Sequence, residues 1–283
     1  MPRTPTLPRS IRLPLSKLAS VFILLVLVVT GPVDALATDQ NRLTGTVQPP
    51  SAPPPPAGGI QVANMIGRVN MDGRGHCTGT LVGDNLVLTA SHCLWDKKTE
   101  RWYGAQFVHF VAGYSQYGFA GHSKASQLLI SRQSDPATFL ETTAFPNDWA
   151  VMILEKPLGK ELGHVDMLDP QLMKGELPNL LIMGYRRDRA HALTAERNCV
   201  ARQDPFNAGL FLHNCQGTFG VSGGPLMGVL NRKPILAGVV IGIIERDGKQ
   251  FGAAINHTAI FNTVQALRRG DMAAAGKFAR LLD

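Results

Sequence analysis

Metal-binding motifs are missing from this 283-residue sequence: it has no CxxC, no HExxH and no histidine at ligand spacing from a cysteine pair. Neither a metal nor a cofactor is therefore expected. Charged residues make up only 17% and aromatics 7%, against 45% hydrophobic, a balance that excludes a disordered or fibrous chain. Long apolar runs are also scarce, and a single one excludes a polytopic membrane protein. No internal repeat is evident. The net charge of +7 has little body behind it, because Arg3, Arg9, Arg12 and Lys17 against Asp34 place +3 before Ala37. With no basic run and no RNA-binding aromatic signature in the remainder, nucleic acid is not an expected partner. Proline is sparse after residue 56, since 11 of the 19 prolines lie before residue 57.

What the N-terminus does contain reads as an export address. Four basic residues precede the apolar stretch 18–29, which Thr30, Gly31 and Pro32 interrupt. Ala35-Leu36-Ala37 then offers the small-x-small pattern of a signal peptidase site, so residues 1–37 are expected to be a cleaved signal peptide. The apolar run is shorter than the ~20 residues that span a bilayer comfortably, and a retained anchor is the alternative, the one case in which a membrane would be a partner. Residues 38–59, with Pro49-Pro50 and Pro53 to Pro56, favour extended polyproline and read as a linker or pro-segment. The chemistry is expected in residues 60–283.

The four cysteines, Cys77, Cys93, Cys199 and Cys215, form two pairs sixteen residues apart. Three connectivities are open, and sequence-local pairing is the simplest. Disulfides would place the mature protein in an oxidising compartment, either secreted or periplasmic. The body itself reads as all-β, with short apolar or alternating segments separated by Gly, Pro, Asn and Asp. Candidate strands are 80–82, 86–89, 107–112, 150–154, 180–183, 225–227, 235–244 and 251–255, a pattern of a sandwich or barrel pair. Helical periodicity is confined to residues 259–282, where Ile260, Val264, Leu267, Phe278 and Leu281 could share one face.

Three segments carry polar residues suited to one reaction. His92 follows an apolar strand in Leu86-Val87-Leu88-Thr89-Ala90-Ser91-His92-Cys93. Asp148 opens another in Asn147-Asp148-Trp149-Ala150-Val151. Ser222 stands among small residues in Gly220-Val221-Ser222-Gly223-Gly224-Pro225. Singly these read as a structural histidine, a turn cap and a flexible turn. Together they match a chemical need. A serine hydroxyl becomes a nucleophile when a nearby base takes its proton, imidazole titrates near neutrality, and a buried carboxylate fixes the imidazole tautomer. Backbone N–H groups of Gly220 and Ser222 would receive the oxyanion.

The segments TASHC, NDWAVMIL and GVSGGPL, in the order His, Asp, Ser, resemble those of the chymotrypsin/trypsin-like serine peptidases. HNCQGT before the serine is similar to the bacterial exported branch that includes the glutamyl endopeptidases. The resemblance spans roughly residues 66–256. It implies two six-stranded antiparallel β-barrels with the active site in the cleft between them, a short C-terminal helix, a Cys77–Cys93 bridge beside His92, and protein or peptide substrates.

Departures from the family pattern qualify the reading. Val221 stands where zymogen-activated members carry an aspartate for the new N-terminal ammonium, so activation by an inserted N-terminus is not expected. Trypsin-like members have an aspartate six residues before the serine; here that place falls on Gln216 or Gly217. The glutamyl branch has a histidine on the following strand, where this sequence has Val240 or Ile244. With Thr218, Ile241 and Gly242 completing the pocket candidates, an uncharged P1 residue is expected. Ser91 reads as a neutral small residue, and His76 and His213 as structural. The rival to an enzyme is a catalytically silent binding protein of the same fold.

Overall fold

A computed structural model describes residues 60–282 apart from Lys174, Gln216 and Asp247. The expected signal peptide and proline-rich segment lie outside the described residues. Six strands close the first barrel: β1 (Ile66–Met71), β2 (His76–Gly83), β3 (Leu86–Thr89), β4 (Val108–Ala112), β5 (Gly121–Ser131) and β6 (Ala150–Leu154). Their order is β1-β2-β3-β6-β5-β4, closed by β1–β4 pairing, and every pairing is antiparallel. Six more close the second: β7 (Glu176–Gly184), β8 (Thr194–Gln203), β9 (Leu210–His213), β10 (Pro225–Leu230), β11 (Lys233–Arg246) and β12 (Lys249–Ile255). Their order is β7-β8-β9-β12-β11-β10, closed by β7–β10 pairing. Closure removes the exposed edges that would otherwise invite pairing with other chains.

Alternation along the strands fills the barrels. In β1 and β4 the alternating residues Val69, Met71, Val108 and Phe110 are buried, whereas Arg68, Asn70, His109 and Val111 are partly exposed. The second barrel closes on Leu180, Ile182, Phe211, Leu226, Val240 and Ala254. Both local disulfides are present, Cys77–Cys93 and Cys199–Cys215. No helix among the described residues is long and apolar enough to cross a membrane.

One expectation needs correction. The final helical pattern does not form one helix. Helix α1 (Thr258–Arg268) buries Ile260, Val264 and Leu267, but the chain then turns, and Asp271 caps a separate short helix at Met272–Ala275. Phe278 follows that helix, and Leu281 belongs to a strand, β13 (Ala279–Leu281), paired with the edge of β5. The polar stretch 115–143 contains the eleven-residue strand β5, whose Leu128, Leu129 and Ile130 are buried.

Candidate active site

Antiparallel pairing of β3 with β6 sets Thr89 opposite Ala150. The chain just past the end of β3 therefore meets the chain just before β6, which brings His92 and Asp148 together. Each approach is rigid. Ala90 and Ser91 are fully buried, a tight turn spans Ser91–Leu94, and Cys93 is bonded to Cys77 on β2. On the other side Asp148 N–H donates to Phe145 O at 3.0 Å, and Trp149 is fully buried. His92 Nδ1 then lies 2.6 Å from Asp148 Oδ2, and His92 N–H donates to Asp148 Oδ1 at 2.8 Å.

Burial opposes the charge on both partners, and their attraction overrides it. For His92, burial alone would lower the pKa, but the Asp148 charge and hydrogen bond raise it above the ordinary imidazole value. For Asp148, burial alone would raise the pKa, but His92 and the donors around the carboxylate hold it below the ordinary value. Asp148 also accepts from Ser91 Oγ at 2.8 Å, and Ser91 Oγ lies 2.7 Å from Ser134 Oγ. Ser91 therefore touches the carboxylate rather than being merely small.

Ser222 sits in a turn stapled to the first barrel by one buried threonine. Thr78 N–H donates to Ser222 O at 2.9 Å, Thr78 Oγ1 donates to Gly220 O at 2.8 Å, and Tyr185 N–H donates to Thr78 Oγ1 at 2.9 Å. Thr89 Oγ1, at the end of β3, donates to Thr78 O at 2.8 Å. The histidine strand and the serine turn thus share a brace, which no local sequence pattern announces. Ser222 O lies 4.0 Å from Cys93 Sγ. Among the described residues Ser222 Oγ makes no hydrogen bond to His92, a looseness common where no substrate tightens the site.

The turn also aims its amides. Arg187 N–H holds Phe219 O at 2.7 Å, and Gly224 N–H holds Val221 O at 2.8 Å. In a trans peptide the N–H points opposite its own carbonyl. The Gly220 and Ser222 N–H groups consequently point away from the scaffold, and neither donates to a backbone oxygen among the described residues. Gly220 has φ +94, and a Cβ there would strike the Tyr185 carbonyl. A Cβ at Gly223 would strike Thr78 O and Thr89 Oγ1, so the serine loop must be this narrow to reach the brace.

Of the expected pocket residues, Gln216 lies outside the described residues. Gly217 and Gly242 both face open space, and Thr218 accepts a backbone bond from Val221 at 3.2 Å. Val240 and Ile241 are buried, and Val240 holds Gly223 and Gly224 through its backbone. Val221 is buried among second-barrel apolar residues. An apolar wall stands beside the imidazole. Phe139 meets His92 edge-on at 6.2 Å and Trp102 at 6.0 Å. Among the described residues, the one cluster of potential metal ligands is Cys77, His92 and Cys93, and both sulfurs are held in their disulfide, so it offers no thiolate.

Comparison with known proteins agrees with this arrangement. The sequence profile described as Trypsin matches residues 58–264. Serine protease 23 of Rattus norvegicus is 28% identical over 165 residues, covering 52% of this chain and 41% of its own length. The chain thus spans about two-fifths of the length of this curated relative. A glutamyl endopeptidase structure superposes with TM-score 0.58 at 17% identity, covering 76% of this chain and 94% of that one. A thermostable serine protease, AL20, from an extremophilic microorganism superposes with TM-score 0.56 at 18% identity, covering 76% and 98%. On this evidence the chain belongs to the trypsin family, and its fold is that of the chymotrypsin-like serine peptidases.

Proposed function

We propose that the protein is an exported serine endopeptidase whose nucleophile is Ser222, with His92 as general base and Asp148 orienting it. The observation that carries this reading is the 2.6 Å His92–Asp148 contact, set beside a serine turn that Thr78 fastens to the same barrel. In the reaction, Ser222 Oγ attacks the scissile carbonyl as its proton passes to His92 Nε2. The imidazolium is stabilised by ionised Asp148, and the developing oxyanion is received by the Gly220 and Ser222 amides. His92 then gives the proton to the leaving amine, and water repeats the cycle on the acyl-enzyme. The two disulfides suit an oxidising compartment.

The reading extends to an uncharged P1 residue. Gly217, Thr218, Val240, Ile241 and Gly242 carry no charge with which to select lysine, arginine or glutamate. Its test uses oxidised protein beginning at Thr38 and at Gly59, with and without Ser222→Ala. A fluorophosphonate probe should label Ser222 in both lengths and not in the variant, as read by mass spectrometry. A peptide library should then favour uncharged P1. Folded, disulfide-bonded protein that stays unlabelled in both lengths would instead support a silent binding protein. Labelling confined to the shorter chain would identify residues 38–58 as inhibitory.

A further inference from the structure

We propose that Ser91 and Ser134 form a two-hydroxyl relay that donates to Asp148 Oδ1 and thereby sets the basicity and aim of His92. Both are positioning residues, and the proposal rests on the peptidase reading only in what it says about turnover.

Proton inventory fixes the direction of each bond. Asp148 is 5% exposed and ionised, so its oxygens can only accept. Oδ2 takes the bond to His92 Nδ1, and Oδ1 takes His92 N–H at 2.8 Å and Ser91 Oγ–H at 2.8 Å. Ser91 has a single proton, and it is committed to the carboxylate. The 2.7 Å contact between the two hydroxyls must therefore be Ser134 donating to Ser91. A hydroxyl that accepts one bond becomes a better donor in the next, so Ser134 strengthens the Ser91–Asp148 bond from one step away.

The relay is shut off from water. Ser91 is fully buried, and Ser134 is 7% exposed in the loop following β5. That loop is fixed where it leaves the strand, since Ser134 N–H donates to Ser131 O at 3.0 Å. The gap beside Ser134 and Asp148, lined also by Thr138, Phe139 and Phe145, leaves no room for a water molecule. In such surroundings a donor lost from a carboxylate is not readily replaced by solvent. The charged groups acting on His92 are Asp148 in contact and Lys97 at longer range, so the relay reaches the imidazole through Asp148 alone.

Its effect has a sign. Donors at Oδ1 draw negative charge away from Oδ2 and moderate its pull on the imidazolium. Without them Asp148 is a stronger base, and His92 holds its proton to higher pH while its ring is less firmly aimed. The experiment is an NMR titration of labelled His92 in the Ser222→Ala protein, which needs no turnover, alongside kcat and KM of the corresponding Ser222-containing enzymes. Ser91→Ala should raise the His92 pKa by about half a unit and lower kcat about tenfold with KM little changed. Ser134→Ala should move both in the same direction by less. Because Ser134 acts only through Ser91, the double variant should match Ser91→Ala, and Ser134→Thr, which keeps the hydroxyl, should return the parent values.

An unmoved His92 pKa in folded Ser134→Ala, or additive shifts in the double variant, overturns the relay. If Ser91→Ala fails to fold, the Ser134 variants alone decide the matter by the same criterion. Should the titrations shift as expected while no Ser222-containing form cleaves peptides, the relay stands and the peptidase reading falls.

Discussion

Gly220 combines a backbone conformation with a close approach, and both serve the amide expected to receive the oxyanion. A side chain there would meet φ +94 and the Tyr185 carbonyl together. Gly220→Ala should therefore lower kcat by about 10²-fold or more, the usual effect of losing one such donor, while leaving the His92 titration in place. Steady-state kinetics with an NMR titration of His92 checks this; a shifted titration would mean that the turn also holds the histidine. Asp148→Asn should lower kcat about 10⁴-fold, because an amide fixes the wrong imidazole tautomer. At this scale the sequence singles out His92, Asp148 and Ser222 by the segments around them. It was uninformative about Ser91 and Thr78. Their partners, Ser134 and Gly220, lie 43 and 142 residues away and are met only through folding. Phe139 is hidden in the same way: only the turn after β5 carries it to the imidazole edge.

Several buried, apolar strands announced themselves: β3, β6 and β10 to β12 all contain the expected segments. Among those missed, β5 and β8 are polar on one face, while β9 is short and largely buried. β8 reads Thr-Ala-Glu-Arg-Asn-Cys-Val-Ala-Arg-Gln, with buried positions only at Cys199 and Ala201, so its alternation is weak. β5 begins with seven residues of mixed exposure before its buried end. The helical period over 259–282 misled because apolar residues continue past the turn at Gly270 and Asp271, where the backbone changes direction. The disulfides offer a test at the scale of elements. Each closes a loop of sixteen residues, and removing either should cost about 3 kcal/mol on the chain-entropy estimate. Their functional effects should differ. Cys77→Ser/Cys93→Ser frees the His92 turn from β2 and should broaden or shift the His92 titration. Cys199→Ser/Cys215→Ser should destabilise comparably and leave that titration alone. Urea unfolding and NMR of both double variants measure the contrast, and equal effects on His92 would refute it.

Over the whole molecule, stability should depend on pH through a histidine outside the site. His213 is 1% exposed inside the second barrel, where Gly252 leaves room for its ring. Burial holds its pKa down at about 4, against an ordinary 6.5. The unfolded chain thus takes up a proton as pH falls through 6.5, and the folded chain only near 4. Its contribution is fully present above 6.5 and is lost towards 4, by roughly 3 kcal/mol. Burial lowers His76 and His257 as well, which adds in the same direction. The raised His92 acts oppositely, but in another window: its stabilisation is fully present below 6.5 and is lost as pH rises through its folded value. Urea unfolding at pH 7 and pH 4.5 should show the loss, and His213→Phe should reduce it; an unchanged difference would assign the effect elsewhere.

The pairing of β13 with β5 joins parts of the chain made at very different times. Arg132 and Gly276, hydrogen-bonded at 2.9 Å, are 144 residues apart. Leu282 N–H reaches back to Leu128 O at 2.8 Å, beside the loop that carries Ser134. On a ribosome the first barrel would emerge with the edge of β5 uncovered and the serine turn not yet made. The first barrel can therefore reach its final form only after the segment through Leu282 has been synthesised. Under the peptidase reading, this order of assembly withholds cutting until the segment through Leu282 has been made.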